Sequence, residues 1–249
     1  MTRRLAVLVI GCVVLGAGNA SAQMSSWEDR VFVNVSFGVT PEKTQNISQA
    51  DSTFSIYQET ATIGYSTPHT VTSGGMLTDL TIGVRAKNHL GVAFSYWTAP
   101  STTADATLTA SIPDPVFFDK PRSVSSTVTG LEHKERWMAV LAVYQIPVNE
   151  KFDIMLLAGP AIVSVDQDVS SFTTPPTEGP SGPQIPMTRT TLSKTVWTYR
   201  VGADARYMFT KNVGAGVFLG VSTAKANLQP DLSLELGGFQ VAGGLRVRF

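Results

Sequence analysis

The stretch Phe239-Gln240-Val241-Ala242-Gly243-Gly244-Leu245-Arg246-Val247-Arg248-Phe249 alternates with a period of two. Phe239, Val241, Gly243, Leu245, Val247 and Phe249 form one series, and Gln240, Ala242, Gly244, Arg246 and Arg248 form the other. Successive side chains of a β-strand point to opposite faces, so this pattern predicts a strand with one apolar and one polar face. The alternation runs up to the aromatic Phe249.

Similar alternation recurs along the chain. Val31, Val33, Val35, Phe37 and Val39 oppose Phe32, Asn34, Ser36 and Gly38; Leu80, Ile82, Val84 and Ala86 oppose Asp79, Thr81, Gly83 and Arg85. Leu90, Val92, Phe94 and Tyr96 oppose Gly91, Ala93, Ser95 and Trp97. A fourth strand is expected over residues 131–146 and a fifth over 152–165. In the sixth, Trp197, Tyr199, Val201, Ala203, Ala205, Tyr207 and Phe209 face away from Thr198, Arg200, Gly202, Asp204 and Arg206. The seventh spans 213–222 and the eighth starts near Leu232. Leu232, Leu234 and Leu236 fall out of phase with Phe239 onward, so a bulge is expected at Gly237-Gly238.

The connections alternate in length. Residues 87–89, 147–151 and 210–212 are tight turns, whereas 40–75, 98–130, 166–190 and 223–231 are longer and rich in Ser, Thr, Pro and Gly. Alternating strands about 10 residues long, with short turns at one end and long loops at the other, are the pattern of a transmembrane β-barrel. The expected fold is therefore all-β: a single antiparallel up-and-down transmembrane barrel of eight strands, with short periplasmic turns and long extracellular loops. Residues 54–65 also alternate and are assigned to a β-structured first loop above the membrane; together with a weak strand near 101–130 they leave a ten-stranded barrel as the alternative. The Pro-rich segment 174–187 is expected to be an unpaired surface loop.

A soluble barrel turned inside out would show the same periodicity, with Arg200, Asp204 and Arg206 in water. The membrane version follows from the aromatic pairs Trp197/Tyr199 and Tyr207/Phe209, placed for two interfacial girdles. Charged side chains must then point into the lumen, because a basic residue facing lipid at mid-depth costs about 2–4 kcal/mol.

The N-terminus reads as an export signal. Thr2-Arg3-Arg4 is followed by an apolar run from Leu5 to Leu15 and by Ala20-Ser21-Ala22, a small-x-small cleavage site. Residues 1–22 are expected to be removed, leaving 23–249 as one barrel domain; Val9-Ile10-Gly11-Cys12 also has the shape of a lipoprotein box. Removing Arg3 and Arg4 from 19 basic residues leaves 17 against 19 acidic ones, a net charge of −2. No basic excess points to nucleic acid. Cys12 is the only cysteine, so cleavage after Ala22 excludes disulfides, thiolate metal sites and cysteine catalysis.

The chain resembles the small outer-membrane β-barrel proteins of Gram-negative bacteria, the OmpA-like and OmpW-like group. The resemblance rests on the closing Gly-Gly-Leu-Arg-Val-Arg-Phe and on strand pairs such as Thr81 to Tyr96. It implies a barrel-only member in the outer membrane, exported by the Sec pathway and most often monomeric. The implied partners are outer-membrane lipid, lipopolysaccharide, periplasmic chaperones and the assembly machinery, which would read Phe239, Val241, Leu245, Val247 and Phe249 as its signal. Fold and location follow from such a likeness far better than activity does.

The candidate functional residues are the lumen charges Arg85, Arg200, Asp204, Arg206, Arg246 and Arg248. They are expected to converge, either as an ion-paired plug or as the gate of a narrow, porin-like pore. Asp204 is the evident local acid, and the arginine excess would favour anions. Frequent lumen glycines leave room for these long side chains. His69, His89 and His133 are the available imidazoles; His133, between Glu132 and Lys134, is expected on a solvated rim, with lipid hydrolysis as its alternative role. No catalytic, metal or cofactor site is expected, and an adhesin or receptor role for the loops is the other alternative.

Overall fold

The structure is a computed structural model that describes residues 30–47, 52–67, 69–172, 176–180, 182–229 and 232–249. The expected signal segment 1–22, with Cys12, and the side chain of His69 lie outside the described residues. Among the described residues no helix is long and apolar enough to cross a membrane.

The strands are β1 (Val31–Ile47), β2 (Ser52–Ile56), β3 (Glu59–Thr67), β4 (His69–Lys87), β5 (Leu90–Thr98), β6 (Thr102–Ile112) and β7 (Arg122–Pro147). They continue with β8 (Phe152–Phe172), β9 (Thr177–Gly179), β10 (Gly182–Gln184), β11 (Met187–Met208), β12 (Val213–Gln229) and β13 (Leu232–Arg248). Eight of them, β1-β4-β5-β7-β8-β11-β12-β13, form an antiparallel ring, closed where β13 returns to β1 through Val35↔Leu245 and Val39↔Val241. Closure pairs every wall strand on both sides, which is what a chain needs to cross hydrocarbon. Arg30, Phe249 and the three tight turns lie at one end; Phe249 accepts backbone bonds from Arg30 and Val31.

The eight-stranded expectation holds, and the strand bounds differ in one direction. Every expected loop except the tight turns is largely strand: β7 begins at Arg122 and β11 at Met187. Beyond the apolar wall the outward face turns from aliphatic and aromatic residues to polar ones, many of them Ser and Thr, while the inward face is apolar only in places. Period-two contrast weakens there, and most Ser/Thr-rich segments read as loop.

β2, β3 and β6 stay outside the ring. They pair onto the projecting half of β7, through Leu108↔Ser126 and Ile63↔Ala110, and form a sheet that extends from the barrel. This accounts for both segments of the ten-stranded alternative. The extension has its own core of Ile63, Leu108, Ala110, Ile112 and Ile185, packed against Phe172 and Met187 of β8 and β11. Tyr65 fastens it by donating to the Ser170 carbonyl at 3.0 Å. Residues 177–179 and 182–184 of the Pro-rich segment pair as a small ribbon, β9–β10, with Pro183 opposite Glu178. A two-stranded ribbon is all edge, so a proline without an N–H is tolerated there.

The expected bulge at Gly237-Gly238 does not occur. Pairing with β12 runs without a register shift through Val221↔Phe239, Ser222↔Gly238 and Thr223↔Gly237. Leu234 and Leu236 point inward and are fully buried, with Trp97, Trp137, Val163 and Val165. The apolar phase flips because the interior changes from polar at mid-barrel to apolar above it. Gly237, at φ +69°, is needed here: a Cβ would meet Ser222 O at 2.3 Å and the Trp137 ring at 2.8 Å.

Candidate functional site

β11 turns Arg200, Asp204 and Arg206 into the lumen, where each is at most 2% exposed, and leaves Tyr199, Val201 and Tyr207 on the outer wall. Trp197 and Tyr199, more than 70% exposed, lie toward the extension; Tyr207 and Phe209 lie beside the tight turns, their rings 5.7 Å apart. At about 3.3 Å per residue and a strand tilt near 40°, this stretch rises roughly 30 Å, which suits an apolar band with its girdles. The wall continues through Phe37, Leu80, Ile82, Phe94, Val140 and Leu219, all exposed. A soluble inside-out barrel is thereby overturned, since those side chains would stand in water.

The interior is layered. Nearest the tight turns, Arg206 Nε donates to Asp153 Oδ1 at 2.6 Å, and Arg248 Nη1 lies 3.7 Å from Asp153 Oδ2. Next, Arg246 grips Asp204 with both arms: Nε donates to Oδ2 and Nη2 to Oδ1, each at 2.8 Å. Asn34 Nδ2 adds a bond to Asp204 at 3.1 Å, and Arg246 Nη1 reaches Ser36 Oγ at 2.8 Å. Above this, Arg200 Nη1 sits 2.7 Å from Asp79 Oδ2 and also donates to Ser95 Oγ. Its guanidinium carbon lies 3.9 Å from the centre of the Trp97 ring and 4.6 Å from that of Phe218. Thr81 Oγ1 completes Asp79 at 2.9 Å.

Three buried arginines therefore meet three buried aspartates one to one. Of the expected lumen charges, Arg200, Asp204, Arg206 and Arg246 lie together inside the barrel, but Asp204 is not the main acid among them. Asp79 and Asp153 supply the missing charges; both lie on the inward parity of their strands, the signal by which they could have been found. Arg248 reaches the lumen charges at their lowest layer, through Asp153, which it shares with Arg206. Arg85 is only partly buried, next to the β4–β5 turn, and Arg248 Nε donates to the Lys211 carbonyl at the rim.

The glycines do make room, for aromatic rings as well as arginine. A Cβ on Gly216 would meet Arg246 Nε at 2.8 Å, one on Gly83 would strike the Phe32 ring, and Gly202 and Gly220 accommodate Phe218. Between Asp79, Asp204, Arg200 and Arg246 lies a cavity of about 10 Å3, room for roughly one water. A larger open groove of about 470 Å3 lies outside the lumen, on the hydroxyl-rich face of the extension around Thr62, Thr109, Ser111 and Ser125.

His133 is not on a solvated rim. It is buried above the Trp97–Trp137 stack, with Nδ1 2.8 Å from Gln167 Oε1 and Nε2 3.0 Å from Glu135 Oε1. Glu135 also accepts from Trp137 Nε1 at 3.0 Å. The inward parity of β7 carries His133, Glu135 and Trp137 together into the interior, so the imidazole is held between two side chains and shielded from lipid. His89, in the β4–β5 turn, packs edge-on to Tyr144 at 6.2 Å. Among the described residues no group of three or more His, Cys, Asp or Glu is placed to hold a metal ion.

No family model matches the chain, and no curated protein matches it. Among solved structures it is similar to Neisserial surface protein A, with 13% identity over 88% of this chain and 97% of that chain, at a TM-score of 0.48. It is also similar to the outer membrane protein OprG from Pseudomonas aeruginosa (9% identity, 89% and 96% covered, TM-score 0.44) and to the outer membrane protease OmpT from Escherichia coli (14% identity, 92% and 100% covered, TM-score 0.36). These likenesses bear on shape alone. With an apolar wall outside, paired charges inside and eight strands closed into a ring, the chain has the fold of a small eight-stranded transmembrane β-barrel.

Proposed function

We propose that this protein is a non-catalytic outer-membrane barrel, shut at mid-depth by its own ion pairs, whose role is structural: it anchors the β-extension at the outer surface. The observation that carries this reading is the filled cross-section, where Arg200, Arg246, Asp79 and Asp204 leave about 10 Å3. A conducting pore needs a continuous water path, and one water's room does not supply it. In this reading residues 1–22 direct Sec export and are removed. Residues Phe239 to Phe249 are presented to the assembly machinery, and the monomer rests among phospholipid and lipopolysaccharide.

Planar-bilayer recording of the refolded barrel tests the proposal. The wild type is expected to give no stepwise channels. Arg200→Ala is the positive control: it empties the space between Trp97 and Phe218, leaves Asp79 unpaired and is expected to give small cation-favouring steps. Stepwise conductance in the wild type would overturn the closed reading and establish a narrow pore.

A further inference from the structure

Residues 113–121 join β6 to β7 at the far end of the extension. The tip presents Val116, Phe117 and Phe118 side by side, 78%, 59% and 78% exposed. Arg122 lies eleven residues before His133, where pairing with β8 begins, so the strand can carry this tip up to about 36 Å from the ring.

The tip is braced. Asp114 Oδ1 accepts from both Val116 N, at 2.9 Å, and Phe117 N, at 3.1 Å. Asp119 N donates to Glu59 Oε1 at 3.1 Å. Arg122 joins Asp114 at 3.6 Å to Glu178 of the β9–β10 ribbon at 2.6 Å. Three amides of the turn are thus bonded before any partner arrives, the condition for entering a medium that offers no replacement bonds. Lys120 Nζ lies 5.1 Å from the centre of the Phe117 ring, so its stem covers apolar surface while the ammonium can stay at head-group level.

We propose that Val116-Phe117-Phe118 is a docking finger that enters the interface of a second, electrically neutral bilayer opposite the barrel's own membrane. Shape favours lipid, because the finger is a convex cap of adjacent apolar side chains that offers a partner no cleft. Charge selects the lipid class. Asp114 and Asp119 balance Lys120 and Arg122, while Glu59 and Glu178 stand behind them, so no basic patch exists to attract anionic head groups. Insertion is shallow, on the scale of interfacial anchors. The inference rests on the outward display of the extension proposed above.

The full chain in nanodiscs, where both faces are accessible, separates failure of this inference from failure of that reading. Wild-type discs are expected to float with phosphatidylcholine vesicles, and admixed phosphatidylserine should weaken the association. Phe117→Ser combined with Phe118→Ser is expected to reduce it roughly tenfold or more, while the barrel keeps its heat-modifiable mobility on gels. In Phe118→Trp the added indole should be quenched by lipids brominated on their acyl chains and supplied only in the vesicles. Failure of wild-type discs to bind, equal binding by the double variant, or an unquenched indole would overturn the proposal.

Discussion

Arg246 on β13 and Asp204 on β11 meet in a two-armed pair across the intervening strand, and Gly216 on β12 is the gap through which they touch. Strands β11 and β13 share no ladder, so the pair bridges next-nearest neighbours.

Removing one charge strands the other in a buried site. Asp204→Ala is expected to destabilise the barrel by about 3–5 kcal/mol, read as a lower urea midpoint in lipid and a lower temperature for loss of the compact gel band. Adding Arg246→Leu should recover part of that loss. A double variant as unstable as the sum of the singles would show that the two residues do not act as a pair.

Gly216 and Gly243 are a matched contrast on neighbouring strands. At Gly216 a Cβ would lie 2.8 Å from Arg246 Nε and 2.9 Å from Ala205 O; at Gly243 the nearest atom is 3.7 Å away. Gly216→Val is expected to cost at least about 2 kcal/mol, measured by the same unfolding, whereas Gly243→Ala, on the lipid face, should be close to neutral.

The wall between β1 and β13 changes character above Val39↔Val241, the last pair of their ladder. There the Gln45 side chain stands in for a strand: Nε2 donates to Glu235 O at 2.8 Å, and Oε1 accepts from Glu235 N at 2.9 Å. Gln45→Ala should speed hydrogen exchange at the Glu235 amide by roughly tenfold. The Leu245 amide, deep in the closed seam, should not change.

The docking tip carries a pH dependence whose sign follows from its carboxylates. The Val116 and Phe117 amides hold the Asp114 carboxyl below its usual range, and the Arg122 bond does the same for Glu178. Carboxyls depressed by folding contribute order above their unfolded pKa and lose it as pH falls through the lower folded value. Amide protection at Val116 and Phe117 is therefore expected to stay constant from about pH 7 to pH 5 and to fall only in stronger acid, below the usual carboxylate range. Asp114→Asn should remove that response. Loss of protection near neutral pH would contradict the assignment.

Period two along the chain was enough to fix the strand faces, and with them the apolar wall, the two girdles and the inward course of Arg200, Asp204, Arg206 and Arg246. The reason is local: each residue's side of a strand is set by its parity alone. Where the outward face turns polar that signal weakens, so the upper halves of β7, β8 and β11 emerged only with the tertiary structure, as did the pairing onto β7 of the sheet whose segments 54–65 and 101–130 already read as strand-like. Parity also cannot say how high each strand stands against its neighbours. That stagger decided that Asp79 meets Arg200, that Asp153 meets Arg206, that Arg85 and Arg248 remain near the mouth, and that His133 is buried. The sequence by itself determined which side chains enter the lumen; register and closure decided which of them meet there, because Arg206 lies opposite Asp153 on the β8–β11 ladder, Arg246 reaches Asp204 across β12, and Arg200 meets Asp79 only where the closed ring brings β11 and β4 face to face.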